Sequence, residues 1–257
     1  MKNGWNARLA DVALRWSVPA ALIALWQALA SAGWISSRVL PAPLDVVKAA
    51  WRLSATGELW RGIEVSSRRA FTGFFIGAAI GLVLGYLSGM FRLWEKLFDS
   101  TIQMIRNIPH LAMIPLVILW FGIDEAAKLF LVVLGVFFPI YANTYHGVRS
   151  VDAKLREMAR VYGLGHWESF VQVVLPGSLP SVLVGVRYSL GFMWLTLIVA
   201  ETIAANSGIG YITMNAREFM QTDVVVMGIL TYALLGKLAD SLAKGLERGL
   251  LRWQVQK

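Results

Sequence analysis

The sequence predicts an all-α polytopic membrane protein with about six transmembrane helices, on the evidence of its composition and its apolar runs. Of its 257 residues, 57% are hydrophobic and 16% are charged, and the mean hydropathy is +0.58. A soluble domain of this size cannot bury that much apolar surface. Since the bilayer core holds no water to pair with exposed backbone groups, we expect the spanning segments to be helices.

Six apolar runs are long enough to cross a hydrocarbon core of about 30 Å at a rise of about 1.5 Å per residue. They cover residues 17–35, 71–90, 102–123, 126–145, 181–204 and 224–240, and we assign them to one transmembrane domain, 1–257. The last run can continue as a helix toward Leu251. The first run also has the layout of a secretory signal peptide, with small residues at Ala28, Ala30 and Ala32, but we favour an uncleaved span.

The basic residues favour one orientation in the membrane. Six spans place both termini on the same side, together with the loop after the second run and the segment 149–160. Lys and Arg concentrate in these regions, which the positive-inside rule makes cytoplasmic. The connector 36–69 disagrees with this orientation; its Trp and Arg content suggests interfacial helices over 45–53 and 60–69. The basic residues on the predicted cytoplasmic side are Lys2, Arg8, Arg15, Arg92, Lys96, Arg149, Lys154, Arg156, Arg160, Lys244, Arg248, Arg252 and Lys257.

A polar segment, 153–180, lies between two long apolar blocks and predicts two short amphipathic helices. Its first apolar face is spaced i, i+3, i+4, i+7, and its second, from Trp167 to Val174, repeats that spacing. Gly163 and Gly165 separate the two helices, and Leu175-Pro176-Gly177 is expected to end the second. Such an element can dock on a partner protein or be an ordinary solvated loop. The first face consists of Leu155, Met158, Ala159 and Tyr162.

Glycines recur every four residues along the second predicted span. A face without Cβ atoms lets a neighbouring helix approach closely, so we predict that this stripe packs against another span. The stripe consists of Gly73, Gly77, Gly81, Gly85 and Gly89.

Several polar residues interrupt the apolar runs and are candidates for a translocation pathway. Asn107 and His110 flank Pro109, which cannot donate a backbone hydrogen bond. Glu201 lies inside the fifth run, and an acidic residue in an apolar span is expected to face the interior of the helix bundle. Glu201 can line the pathway there, or it can pair with another side chain in a structural role. Asn206 and Ser207 follow it. We expect these residues to favour a small anion.

The sequence lacks the patterns of several other functional classes. It has no cysteine, no phosphate-binding GxxxxGK[ST] loop and no HExxH pair, so neither a metal site nor an enzyme is predicted. Its basic residues are scattered, which does not indicate nucleic-acid binding. An ion-coupled secondary transporter would need inverted repeats and a carboxylate relay, whereas Glu201 is alone in its span.

The segment 153–180 resembles the EAA loop of the permease subunits of bacterial ABC importers. Glu157 and Ala159 match the Glu-Ala-Ala start, with Met158 replacing the middle alanine, and Gly163 stands six residues after Glu157. Val173, Leu175 and Pro176 match the Ile-x-Leu-Pro ending, ten residues beyond Gly163. Further runs at 40–43, 106–125 and 195–211 resemble the permease subunit of aliphatic sulfonate importers, within a wider group that also moves taurine and nitrate.

The resemblance implies a type I ABC importer permease fold in the bacterial inner membrane. It also implies a homodimer of this chain with two ATPase subunits, which bind ATP and Mg²⁺, and with a periplasmic substrate-binding protein. This chain itself would bind no cofactor. The coupling segment that contacts the ATPase would include Glu157, Met158, Ala159, Gly163, Leu164, Gly165, Val173, Leu175 and Pro176.

Overall fold

The computed structural model describes residues 3–251, without the side chains of residues 3–13, 15, 110, 111 and 204. Within that range the chain is helical, and no strand occurs among the described residues. Lys2, Arg252 and Lys257, and the side chains of Arg8 and Arg15, lie outside the described part, so their predicted cytoplasmic placement stays a prediction.

Twelve α-helices follow one another in the described chain. They are α1 Asn3–Ser31, α2 Pro43–Ala55, α3 Glu58–Met90, α4 Arg92–Trp94, α5 Ser100–Arg106, α6 Ile114–Phe121, α7 Glu125–Ser150, α8 Ala153–Val161, α9 His166–Ser169, α10 Leu175–Ala204, α11 Ile209–Glu218 and α12 Thr222–Leu250. π-helical turns at Glu95–Asp99 and Phe170–Val174 continue neighbouring helices, and a 3₁₀ turn at His110–Met113 precedes α6.

Four helices of the described chain are long and apolar enough to cross a membrane. They are Glu58–Met90, Glu125–Ser150, His166–Ile203 and Thr222–Leu250, and they coincide with the second, fourth, fifth and sixth predicted runs. The helix of the sixth run extends to Leu250, close to the predicted limit at Leu251. The described apolar part of α1 is the shorter stretch Trp16–Ser31, so the helix of the first run ends before the predicted limit at 35.

The third predicted run, 102–123, is wrong as a single helix. α5 ends at Arg106, and the helical path resumes only at His110. Pro109 explains the break, because it has no backbone N–H and disfavours helical geometry in the residue before it. Pro115 does not interrupt α6, since it lies in its first turn, where the backbone N–H has no helical acceptor.

Residues 60–69 are helical, as predicted, but they form the beginning of α3 and not a separate helix. Their location in the membrane interface stays a prediction. The amphipathic stretch 45–53 is helical, as part of α2, and buries Val46, Ala49 and Leu53.

The chain divides into two compact units. The first contains the chain up to Gly62 and Ile212–Leu230. Inside it, the Leu44 backbone N–H donates to Gln27 Oε1 at 3.1 Å, and Thr222 Oγ1 donates to the Ser37 carbonyl at 2.7 Å. These bonds hold the connector after α1 in place.

The second unit contains Ile63–Tyr211 and the chain from Thr231 onward, and its core forms where α3, α7 and α10 pack together. The glycine stripe of α3 faces α7 along its whole length: a Cβ added to Gly77 would lie 2.7 Å from the Val133 carbonyl oxygen, and one on Gly89 2.7 Å from Val148 Cβ. α7 packs against α10 in the same manner, since Gly135 faces Thr196 and Gly185 faces Asn143. Small residues therefore set the spacing of the three helices.

Candidate functional site

The start of α8 is fixed to the end of α7 by two side chains. The Asp152 carboxylate caps α8 by accepting from the Lys154 backbone N–H at 2.9 Å. Arg156 Nη2 donates to the Val151 carbonyl at 2.9 Å. The helix that carries Glu157 is thereby attached to a membrane-spanning helix rather than suspended on a free loop.

Gly163 ends α8 in the left-handed conformation, with φ of +77°. Its backbone N–H donates to the Arg160 carbonyl, and the Leu164 N–H donates to the Ala159 carbonyl, both at 3.0 Å. This pair of bonds is the Schellman motif, which favours glycine. A Cβ at this position would have no heavy atom within 4 Å, so backbone conformation and not space requires the glycine.

Gly165 begins the next helix, as the sequence predicts. Its backbone N–H donates to the Glu168 carboxylate at 2.8 Å, which supplies a partner at the N-terminus of α9.

The predicted stop at Leu175-Pro176-Gly177 is wrong. The helical path runs without interruption from His166 to Ala204. A π-helical turn, Phe170–Val174, lies just before Pro176. It shifts the backbone hydrogen-bond register at the position where proline has no N–H to donate, so the helix continues through Pro176. The segment is thus rigidly joined to the spanning helix α10.

The surface of this segment is unusually apolar for a polar connection. Met158, Tyr162 and Trp167 are 50%, 78% and 73% exposed. Glu157 is also exposed, whereas Ala159 is buried. Leu164, Val173 and Pro176 are half-buried, and Leu175 is just exposed. One apolar, solvent-facing patch therefore surrounds the glycine turn.

A second polar site surrounds Glu201 near the far end of α10. Its side chain is fully buried, and Arg69 Nη1 lies 2.7 Å from its Oε1. Ser66 Oγ donates at 2.8 Å, Tyr232 Oη at 2.8 Å and the Gly210 backbone N–H at 3.0 Å. The sequence left a structural partner open as an alternative, and these bonds supply one.

Arg69 links that carboxylate to two further groups. Its Nε and Nη2 donate to Glu125 at 2.6 and 2.5 Å, and Nη1 also donates to the Ser207 carbonyl at 2.6 Å. Lys128 completes the cluster at 3.2 Å from Glu125. Arg69, Lys128 and Glu201 are buried, whereas the Glu125 side chain is 55% exposed. The two cations and two carboxylates balance in charge, which limits the cost of burying three of them.

The sequence reading missed Arg69, Glu125 and Tyr232 as partners of Glu201. Arg69 stands in a stretch that looked interfacial, and Tyr232 lies 31 residues beyond Glu201, so no local spacing connects them. Gly208 and Gly210 are a partial sequence signal of the site around Glu201. Each glycine packs directly on the Glu201 side chain, and a Cβ at either position would collide with it.

The other predicted pathway residues are placed differently. Asn107 is exposed and donates to the Gln103 carbonyl at 3.1 Å. Asn206 is exposed beside Ser207. The side chain of His110 lies outside the described part of the chain. The structure thus brings Glu201 and Ser207 together through Arg69, and no described contact joins Asn107 to them.

The broken third helix is attached to α7 by acidic side chains. Tyr145 Oη donates to Glu95 Oε1 at 2.7 Å, Arg149 Nη1 lies 2.5 Å from the same oxygen, and Tyr141 Oη donates to Asp99 at 3.0 Å. The hydrogen bond from Tyr145 and the Arg149 guanidinium lower the pKa of the Glu95 carboxyl below its ordinary value.

Residues 77–252 match the family described as the binding-protein-dependent transport system inner membrane component. This match covers more than half of the chain. The chain belongs to this family. It is therefore a permease component of a membrane transport system and not an enzyme.

Named relatives of this permease extend over nearly its whole length. It is 61% identical over 249 residues to SsuC of Escherichia coli (strain K12), named as an aliphatic sulfonates transport permease, covering 97% of this chain and 93% of SsuC. It is 46% identical over 237 residues to the SsuC of Bacillus subtilis (strain 168), covering 92% and 86%.

The fold of the permease is also that of solved ABC importers. A crystal structure of an amino acid ABC transporter with histidines superposes with a TM-score of 0.62 at 16% identity, covering 77% of this chain and 97% of that one. The predicted all-α permease fold is thereby confirmed.

Proposed function

We propose that this permease is the membrane-spanning subunit of an ATP-driven importer of aliphatic sulfonates. The substrate assignment rests on the 61% identity to a permease named for aliphatic sulfonates, which extends over 97% of the chain. The taurine and nitrate permeases of the same group are the alternatives for the substrate.

In this proposal the segment 153–180 transmits force from an ATPase subunit. Three features support that role: the exposed apolar patch around Met158, Tyr162 and Trp167, the attachment of α8 to α7 through Arg156, and the unbroken helix from His166 into α10. A displacement of the patch would therefore move two spanning helices together. The coupling residues are Glu157, Met158, Ala159, Gly163, Leu164, Gly165, Val173, Leu175 and Pro176.

The assembly would consist of two copies of this chain, two ATPase subunits that bind ATP and Mg²⁺, and a periplasmic substrate-binding protein. It would reside in the bacterial inner membrane with both termini in the cytoplasm, in keeping with the positive charge of the segment 149–160. The chain itself would bind no cofactor, because the nucleotide belongs to the ATPase.

The predicted pathway residues acquire two roles in this proposal. Asn107, Asn206 and His110 stay candidates for contacting the substrate. Glu201 and Ser207 instead position the ends of α10 and α11, since Arg69 engages both of them.

Growth on a single sulfur source tests this function. A strain that lacks the chain should fail to grow on an alkanesulfonate and grow normally on sulfate, and a plasmid copy should restore growth. Taurine as the sulfur source and nitrate as the nitrogen source serve as matched controls. Normal growth of the deletion strain on alkanesulfonates, with loss of growth on taurine or nitrate, would assign the permease to that other substrate.

A further inference from the structure

An open cleft of about 470 Å³ lies between α10 and α12 in the second unit. Its walls include Val184, Arg187 and Tyr188 from α10 and Gly236 and Asp240 from α12. At about 1.5 Å per residue, Arg187 lies about 18 Å along α10 from Leu175. The cleft is thus within two helices that are long and apolar enough to span the membrane.

The cleft contains an ion pair that is only half-buried. Arg187 Nε donates to Asp240 Oδ1 at 2.8 Å, and the two side chains are 44% and 31% exposed. Lys244 Nζ lies 2.8 Å from Asp240 Oδ2, and Lys237 lies 4.0 Å from it. The lining of the cleft itself carries one cation, Arg187, and two carboxylates, Asp240 and Glu247. Lys237 and Lys244 approach Asp240 from outside that lining, and the whole group of three cations and two carboxylates has a charge of +1.

The guanidinium of Arg187 keeps donors available. Among the described residues, the only hydrogen bond of this guanidinium is from Nε to Asp240, and its two terminal nitrogens make none. Arginine can present two parallel N–H groups to an anion with several oxygens. Asp240 has a second cationic partner in Lys244, so it would not be left unpaired if an anion took its place on Arg187.

The cleft has room beside these donors. Gly191 and Gly236 line it, and a Cβ added to either would have no heavy atom within 4 Å. The open space is therefore next to the ion pair and is not filled by neighbouring side chains.

This charged face is not suited to lipid. Charged side chains within a span face a protein interior or a water-filled cavity, because hydrocarbon cannot solvate them. The same helix α12 has a separate exposed face that carries three leucines. Leu238, Leu242 and Leu246 follow at four-residue spacing and are 59%, 62% and 54% exposed. The two faces indicate different surroundings, lipid for the leucines and water for Arg187.

We infer that the cleft is an anion subsite of the translocation pathway. In this subsite Arg187 binds the sulfonate group of the substrate, and Asp240 pairs with the Arg187 guanidinium when no substrate is bound. The substrate class rests on the proposed function. Arg187 would be a specificity-determining residue, since a substrate without an anionic group could not displace Asp240.

The absence of cysteine from the sequence permits a direct test in the assembled transporter. A Val184→Cys variant places one thiol in the cleft, and Leu238→Cys places one on the leucine face. Each is treated with two methanethiosulfonate reagents of similar size, one with a sulfonatoethyl group and one with a trimethylammonioethyl group. Modification is followed by mass.

We expect the sulfonate reagent to modify Val184→Cys at least about tenfold faster than the cationic reagent, because the free N–H groups of Arg187 and the two lysines beside Asp240 attract anions. Adding Arg187→Gln should remove that preference, an alkanesulfonate should protect the thiol, and Leu238→Cys should be unreactive. Equal rates with both reagents, or no reaction at Val184→Cys because lipid or a second copy covers it, would overturn the inference. Anionic preference with protection by taurine or nitrate only would keep the subsite and reject the proposed substrate.

A charge exchange separates substrate binding from a purely structural ion pair. The double variant Arg187→Asp, Asp240→Arg restores opposite charges across the cleft and should restore assembly. Uptake should stay reduced by about tenfold or more, the scale of a lost hydrogen bond to a charged group. Full recovery of uptake in the exchanged variant would show that Arg187 serves only to pair with Asp240.

Discussion

Arg69 Nη1 lies 2.7 Å from Glu201 Oε1, and the two side chains are only 4% and 0% exposed. The same guanidinium holds Glu125 and Ser207. One arginine therefore connects α3, α7 and α10 with the loop that precedes α11. This end of the bundle depends on charge pairing, whereas the remainder of the three-helix contact depends on small residues.

Removing Arg69 should destabilise the permease strongly. An Arg69→Gln variant leaves the Glu201 carboxylate buried without its cation, and breaking such a pair costs about 3–5 kcal/mol. The free energy of unfolding in detergent measures this loss. Adding Glu201→Gln should recover part of it, because the unpaired charge is then removed.

The matched control for that pair is exposed. Lys48 lies 3.3 Å from Asp45, with side chains 77% and 49% exposed. Lys48→Ala should change stability by less than about 1 kcal/mol. An equally small effect of Arg69→Gln would contradict the role of the buried cluster.

Gly163→Ala should impair coupling through the backbone. The left-handed conformation costs a residue with a Cβ about 1–2 kcal/mol, while space is not limiting. ATP-driven uptake should therefore fall relative to ATP hydrolysis in the reconstituted complex. Gly163→Asn is the informative comparison, since asparagine tolerates this conformation better. Identical loss with Ala and Asn would mean that something other than φ requires the glycine.

The glycine stripe of α3 should not tolerate an added methyl group. A Cβ at Gly77 would lie 2.7 Å from the Val133 carbonyl oxygen, and backbone cannot move aside as a flexible side chain can. Gly77→Ala should cost about 1–3 kcal/mol of stability, as overpacking typically does. Gly245→Ala in α12 has open space and should be neutral or stabilising by up to about 1 kcal/mol. Similar thermal unfolding of the two variants would refute the close approach of α3 and α7.

The contact of Glu95 with α7 should weaken in acid. Because the folded-state pKa of Glu95 is lowered by Tyr145 and Arg149, its contribution to stability is complete above the ordinary glutamate pKa and is lost as pH falls through the lowered one. The unfolding midpoint of the wild type should exceed that of Glu95→Gln at neutral pH, and the difference should shrink in acid. A difference that is independent of pH would exclude the carboxylate as its source.

The sequence predicts those parts of the fold that depend on local spacing. The glycine period of α3, the turn at Gly163 and four of the spans follow from residues that are close in the chain. Two prolines, Pro109 and Pro176, show what local spacing cannot predict. Pro109 ends a helix, whereas Pro176 is accommodated by a π-helical turn, which neighbouring residue types do not reveal. The partners of Glu201 also require the tertiary fold, since Arg69 is 132 positions away.

In the proposed function, ATP hydrolysis by a partner subunit drives sulfonate uptake through this chain. The most direct test of this proposal is uptake of a radiolabelled alkanesulfonate into proteoliposomes that contain the permease, its ATPase subunit and its binding protein. We expect uptake that requires ATP, is reduced in Gly163→Ala and is insensitive to ionophores. Uptake that follows an ion gradient without ATP, or ATP-driven uptake that excludes alkanesulfonates, would contradict it.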